Sequence, residues 1–479
     1  MSNDGDAAEP VTTGQSEEPT NGAETSAKNP FQKFLAATEL DTRMLGMVAA
    51  LLLVWCIFDI WSGVMRPNTG LFGGSFLTPR NLWTLLVQTS SIAVMATGMV
   101  LVIVMRHIDL SVGSMLSLVA VTIGVLQVSI LGPALGVGNP SIWIIAVVAA
   151  IALGTLIGAL NGYLIAYAQI PAFIVTLGGL IAFSGIAFLV SDGVTIAPMD
   201  KTFKIMGGSV SQGWFGPGLS WTLAVIGCVF LAVSIVNGRR QRLRFNFPLR
   251  PVWAEITLAV VGGAVILGIT AVLNSYPWPF GVIKQYAEAN GLDIPVGVAD
   301  RAGAAICMEG DKVVRCVDGL MKQTGYALPV MIAIAIGIVM TFVSTRTRFG
   351  RYVYAVGGNP EAAELAGINT KALTVKVFAL MGALVAVSAI ISSARLDAAT
   401  IALGTLSELY VIAAAVIGGT SLAGGVGTIY GAMIGALMMQ SIQSGMALLN
   451  LPAAYQNIVV GGVLVLAVWL DQIYRRRVN

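Results

Sequence analysis

Apolar runs recur along the whole chain, at roughly 44–64, 83–105, 111–133, 141–163, 172–190, 219–238, 252–273, 327–345, 375–393, 409–421, 427–449 and 453–471. A helix needs about 20 apolar residues to cross the hydrocarbon core, so these runs read as transmembrane helices. The run at 409–421 is short for a crossing and reads as a broken or re-entrant helix buried in protein. Polar residues dominate only at the start. Residues 1–30 are acidic, rich in Ser, Thr, Gly and Ala and nearly free of large apolar side chains, so residues 1–43 are read as a disordered tail. No short basic region precedes the first apolar run, which argues for a true span rather than a signal peptide.

The placement of arginine orients the spans. Basic clusters stand at Arg239, Arg240, Arg242 and Arg244, at Arg346, Arg348 and Arg351, and at Arg475, Arg476 and Arg477. Twelve crossings from a cytoplasmic N-terminus put all three clusters in the cytoplasm, as the positive-inside rule requires. Residues 274–326 then form a long loop outside. Within it, "AICMEGDKVVRCVDG" reads as a hairpin turning near Gly310–Lys312, which would bring Cys307 and Cys316 opposite each other. An oxidising exterior makes a disulfide between them a reasonable expectation, with two free thiols as the alternative. Cys56 and Cys228 fall within spans and read as core residues.

Composition supports the membrane class: 56% of residues are hydrophobic, 11% are charged, and the mean hydropathy is +0.83. The net charge of +3 adds little beyond its distribution. Four cysteines without a CxxC pair and one histidine, His107, argue against a metal or haem site. No GxxxxGK[ST] is present, so no nucleotide-binding P-loop is expected on this chain, nor a cofactor of its own. No paired carboxylates or Ser–His set suggests a membrane enzyme.

Four motifs could carry chemistry. In "RHIDLSVGS", 106–114, Asp109 is read as a cap for the helix that begins near Ser111, with a proton or ion site as the alternative. "GGTSLAGGVGT", 418–428, has too many glycines for a stable helix and reads as a tight turn or a pathway-lining junction. Gly154–Gly158 and Gly431–Gly435 form GxxxG pairs suited to close helix packing. "GTLIGAL" at 154–160 and "GAMIGAL" at 431–437 are each followed by a proline, Pro171 or Pro452, and then paired glycines, which points to an internal repeat.

The fourth motif, "GGNPEAAELAGIN" at 357–369, reads as a complete polar helix. Asn359 is the N-cap, Pro360 the first helical residue, Glu361 lies in the first turn and Gly367 is the stop. Such a helix is too short to stand alone in water and needs something to dock against. Ala362, Leu365 and Ala366 share one face, with Glu361 and Glu364 beside it.

The stretch "RFGRYVYAVGGNPEAAELAGINTKALTVKVFAL", 348–380, resembles the cytoplasmic coupling loop of ABC importer permeases. "IDLSVGSMLSL", "IPAFIVTLGGL" and "VIGGTSLAGGVGT" resemble the monosaccharide branch of that family, the xylose permeases most of all. The resemblance covers roughly 44–190 and 327–475; loop 274–326 departs from it. It implies an all-α polytopic membrane protein of about 10–12 transmembrane helices with a pseudo-repeated core, like the type II ABC importers. The first half would be 44–273 with an inserted helix pair near 219–273, and the second half 327–475 with a coupling loop at 346–374. The protein would be the permease subunit of an ATP-driven monosaccharide importer in the bacterial inner membrane, both termini cytoplasmic. Its partners would be a second copy of itself, two ATPase domains or one tandem ATPase carrying ATP and magnesium, and a periplasmic sugar-binding protein; no nucleic acid is expected. Asn359, Pro360, Glu361, Ala362, Ala363, Glu364, Leu365 and Gly367 would form the ATPase contact, and Ser111, Asn161, Phe173, Thr176 and Thr420 would line the path. A permease of broader sugar or sugar-alcohol specificity is the alternative within the family. An ion-coupled secondary transporter using Asp109, Asp397 or Glu408 is the alternative outside it.

Overall fold

The computed structural model describes residues 37–39, 42–65, 74–208, 213–278, 280–292, 297–298, 305–309, 312–315 and 323–478. Helices α1 Thr42–Val64, α2 Pro79–Val104, α3 Val112–Leu135, α4 Ser141–Ala166 and α5 Ala172–Ser191 follow one another with short connections. A π-helical turn, Leu126–Leu131, interrupts α3. Next come α6 Gly216–Arg244, α7 Val252–Asn274 and the short α8 Phe280–Asn290. After a small sheet, the chain continues through α9 Leu328–Arg346, α10 Arg348–Gly358, α11 Pro360–Leu365, α12 Thr370–Leu396, α13 Ser407–Ile417, α14 Ile429–Leu448 and α15 Ala453–Val478.

Among the described residues nine helices are long and apolar enough to cross a membrane: α1–α7, α9 and α12. The chain is thus an all-α polytopic membrane protein. Helix α14 has the length but not the hydropathy, because Gln440, Ser441, Gln443 and Ser444 crowd its second half. Helix α13 is only 11 residues long. The turns before it run inward along α3: Ala399 lies against Gly124, while the Gly404 N–H donates to Ser117 Oγ at 2.9 Å. The segment 397–417 is therefore a broken crossing, as its shortness suggested.

Helices α2 and α12 form the centre, with 89% and 78% of their apolar windows buried. Close approach explains how α12 packs on α4. A Cβ on Gly382 would stand 2.0 Å from the Gly154 carbonyl oxygen, and one on Gly158 would stand 2.2 Å from that of Phe378. Helices α13 and α14 repeat the arrangement: Cβ atoms on Gly431 and Gly435 would meet the carbonyls of Gly418 and Ala414 at 2.1 Å. Both GxxxG pairs are packing faces within the chain.

The outer helices are held by few contacts. Helix α1 is anchored by Trp55, which donates to Ser441 Oγ at 2.8 Å, and by Phe58 stacked on Phe76. The α6–α7 pair packs mainly on itself and meets α2 through Leu273 and Trp83. Cys56 is exposed on α1 and Cys228 half-buried on α6, both free. This corrects the expectation that they are core residues: apolar runs do not distinguish helices facing lipid from helices facing protein.

Two sets of contacts fix which ends share a side. Glu39, just before α1, pairs with Arg242 at the end of α6 and with Arg250 before α7. At the other side, Trp83 Nε1 donates to the Gly325 carbonyl, and Lys204 pairs with Asp397 at 2.5 Å. On that second side lie α8 and a three-stranded antiparallel sheet of β1 Gly297–Val298, β2 Ala305–Glu309 and β3 Lys312–Arg315, in that order. The hairpin of β2 and β3 places Cys307 opposite Val314. Cys316 lies outside the described residues, and with it the expected pairing of Cys307 and Cys316.

Candidate coupling helix and translocation path

Helix α11 is built by local chemistry. The Ala362 N–H donates to Asn359 Oδ1 at 3.0 Å, Pro360 occupies the first position, and Gly367 leaves the helix at φ +82°. The Ile368 N–H then donates back to the Ala363 carbonyl, closing the C-terminal turn. Asn369 starts α12 in the same manner, accepting from the Ala372 N–H at 2.9 Å. Two caps ten residues apart thus fix α11 between α10 and α12.

Only Ala363 of α11 faces the core. Leu365 is 91% exposed, and Ala362, Ala366, Glu361 and Glu364 are exposed around it. The helix presents an apolar tip and an acidic edge to its surroundings while one small residue seats it.

The base of this helix is tied to two irregular segments inside the bundle. Arg106 Nε and Nη2 donate to the carbonyls of Gly357 and Gly358 at 2.9 and 2.7 Å. The Gly425 N–H donates to the Val104 carbonyl at 3.0 Å, and Tyr354 Oη donates to the Gly427 carbonyl at 2.7 Å. The glycine-rich stretch 418–428 is therefore a junction between α13 and α14, pinned to the end of α2 and the end of α10. Gly357 is required there, since a Cβ would stand 2.0 Å from the Val104 carbonyl oxygen.

Three of the five path candidates meet. Asp109 Oδ1 accepts from the Ser111 N–H at 2.9 Å and from Ser111 Oγ at 2.6 Å. Asn161 Nδ2 donates to Ser111 Oγ at 3.0 Å, and Thr176 Oγ1 reaches the Ile108 carbonyl at 3.3 Å. This buried knot ties α4 and α5 to the turn before α3. Asp109, two residues ahead of the N-cap Ser111, closes an Asx turn onto the Ser111 N–H rather than capping the helix's first amides. Thr420 is buried in the junction against Gly427, and Phe173 is exposed on α5. Of the three intramembrane acids considered, Asp397 is held by Lys204 and the Met199 N–H, and Glu408 packs against Gly113.

A polar cavity of about 370 Å³ lies elsewhere, between α2, α12, α13, α14 and the start of α15. Its walls include Gln88, Ser392, Arg395, Tyr410, Gln440 and Gln443. None of the five path candidates lines it. A signal was present in the sequence: Gln440, Gln443 and Ser444 recur at helical spacing along one face of a span. Gln88 lies 352 positions from Gln440, to which it is hydrogen-bonded at 2.9 Å, so only the folded chain brings them together.

Comparison with known proteins agrees with this architecture. The family described as branched-chain amino acid transport system / permease component matches residues 81–239 and 206–468. The chain belongs to this permease family. It is 34% identical to the xylose transport system permease protein of Haemophilus influenzae, over 83% of this chain and 90% of the relative. The corresponding Escherichia coli protein is 32% identical over 93% of this chain and 95% of its own. The ribose import permease protein of Escherichia coli is 30% identical over 83% of this chain and 87% of its own. No solved structure matches the chain. As a family member with nine membrane-length apolar helices among its described residues, the chain is a multi-pass membrane permease component.

Proposed function

We propose that this permease is the membrane-spanning subunit of an ATP-driven importer that carries a monosaccharide, D-xylose or a related sugar, into the cytoplasm by alternating access. The observation that carries the reading is α11: a capped helix with Leu365 almost fully exposed, tied through Gly357 and Gly358 to both irregular segments of the bundle. A helix this short is stabilised by what it docks against. The sugar is suggested by the xylose and ribose relatives.

In this scheme two copies form the transporter, in the bacterial inner membrane with both termini in the cytoplasm. Two ATPase domains, or one tandem ATPase, hold ATP and magnesium and receive α11 through Glu361, Leu365 and their neighbours. A periplasmic binding protein delivers sugar at the side of α8 and the small sheet. Binding and hydrolysis of ATP move α11, and the contacts at Arg106 and Tyr354 carry that movement to the ends of α2 and α14.

The test is uptake of labelled D-xylose by cells expressing the complete system. Depletion of ATP should abolish uptake, while an ionophore that collapses ion gradients at constant ATP should leave it intact. The reverse pattern would sink the ATP-driven reading in favour of ion coupling. Glu361→Lys should leave the protein in the membrane and abolish stimulation of the ATPase by sugar-loaded binding protein.

A further inference from the structure

The cavity near Arg395 lies at the end of the bundle opposite α11. Helix α12 connects the two: Thr370 follows α11 at one end, and Arg395 stands in the last turn at the other. A 27-residue helix spans roughly 40 Å. Helices α2 and α14 bring their polar residues to the same end, where Ser444 Oγ meets Asn81 Oδ1 at 3.1 Å.

Polar side chains at membrane depth are expensive and mark sites of passage or binding. Here they are organised. Gln440 Nε2 donates to Gln88 Oε1, and Ser91 joins Ser392 at 2.8 Å across the α2–α12 contact, while Tyr410 and Gln443 line the same cavity. Arg395 lines the cavity, and among the described residues it has no ion pair or side-chain hydrogen bond. Its guanidinium offers up to five donors to whatever enters.

The lining chemistry selects a class of ligand. Amides and hydroxyls both donate and accept, as the hydroxyls of a sugar do. Tyr410 adds an aromatic ring, on whose face the C–H groups of a sugar can pack. Among the described residues no Asp, Glu or Lys lines the cavity to pair with the ammonium group of an amino acid. The volume falls within the roughly 300–1,000 Å³ of small-molecule pockets.

We infer that this cavity is a monosaccharide station within each copy of the permease, where Arg395, Gln443, Gln440 and Gln88 hydrogen-bond the hydroxyls of a neutral sugar arriving from the side opposite α11. The inference rests on the import function proposed above. It makes the permease itself, and not only its delivery protein, a reader of hydroxyl pattern.

The test compares uptake of D-xylose with uptake of its singly deoxygenated analogues by the complete transporter, for the wild type, Gln443→Leu and Arg395→Gln. Loss of a hydroxyl-reading group should lower the D-xylose rate about tenfold while leaving the rate for the analogue that lacks the matching hydroxyl nearly unchanged, so that discrimination collapses. Parallel loss for all sugars, or no change for any, would overturn the station and leave the import function standing. If the wild type imports no monosaccharide, both fall. A second variant guards against misfolding: Ser392→Cys should react with a membrane-impermeant thiol reagent added outside, and D-xylose with its binding protein should slow that reaction several-fold. An unreactive or unprotected cysteine counts against the station.

Discussion

Arg106 holds the carbonyl of Gly357 at 2.9 Å through Nε, from a backbone conformation with φ +64° that non-glycine residues seldom adopt. The strained residue stands between α2 and α3, and its target is the penultimate residue of α10, two residues before the Asn359 cap. Arg106 also packs against the irregular segment 418–428, since a Cβ on Gly424 would stand 2.5 Å from its side chain. Charge, strain and close backbone contact converge on a point that touches no predicted substrate, as expected for a mechanical joint.

Replacing Arg106 by Gln should therefore damage coupling more than folding. Two hydrogen bonds from a charged donor are lost, each worth roughly 1.5–3 kcal/mol where desolvated and less here, where one is exposed. The expected outcome is normal membrane abundance, an ATPase that turns over without stimulation by loaded binding protein, and transport reduced by about tenfold or more. Arg106→Lys should recover part of the loss, since one ammonium can reach one carbonyl but cannot span two. Full stimulation in Arg106→Gln would remove the joint from the mechanism.

The glycine faces give a prediction about stability. Gly382→Ala forces a methyl group to 2.0 Å from the Gly154 carbonyl oxygen, and backbone on both sides leaves no flexible side chain to yield. Overpacking of this kind costs about 1–3 kcal/mol. Gly268→Ala, where nothing lies within 4 Å, serves as the control. Thermal denaturation in detergent should show a clearly lower melting temperature for the first and an unchanged or slightly higher one for the second.

The pattern of what could be read in the sequence follows the range of the interactions. Spans were legible because each is a continuous apolar run, and α11 was legible because Asn359, Pro360 and Gly367 act within a few residues of one another. The broken crossing at α13 was legible because eleven residues cannot span a bilayer. Exposure was not: Cys56 and Phe173 sit in apolar runs and turn out to face outward. The knot of Ser111, Asn161 and Thr176 was seen as a set of polar residues, yet its role as a tie depends on three helices meeting. The cavity at Arg395 escaped for the same reason, because its walls come from positions up to several hundred residues apart.

A pH dependence is written into the contact at Glu39. Hydrogen bonds from Arg242, and then from Arg250, hold its carboxyl down to about 2, from an ordinary 4.5. A carboxylate whose folded value is depressed contributes fully above its unfolded value, and that contribution is lost as pH falls from about 4.5 through about 2. Hydrogen exchange at 37–39 and 242–250, normalised to intrinsic rates, should be flat above pH 4.5 and should rise below it. Glu39→Gln should show the faster exchange above pH 4.5 and converge with the wild type as pH falls toward 2, and high salt should move the wild type toward the variant because the pair is exposed. A variant indistinguishable from wild type would mean that the ion pair does not anchor this segment.

Which face of α11 its partner reads can now be asked with two substitutions. Leu365 projects almost wholly into solvent, while Glu361 and Glu364 flank it and Ala363 seats the helix. A partner groove that buries Leu365 would gain about 1.5–3 kcal/mol from its side chain, more than an exposed charge pair at Glu361 supplies. Leu365→Asp should therefore weaken binding of the ATPase subunit by ten- to a hundredfold in detergent, measured by surface-immobilised binding, with no change in melting temperature. Glu361→Gln should weaken it by only a few-fold, and that effect should fade at high salt. The opposite order would assign the docking contact to the acidic edge, and the apolar tip would then face another surface.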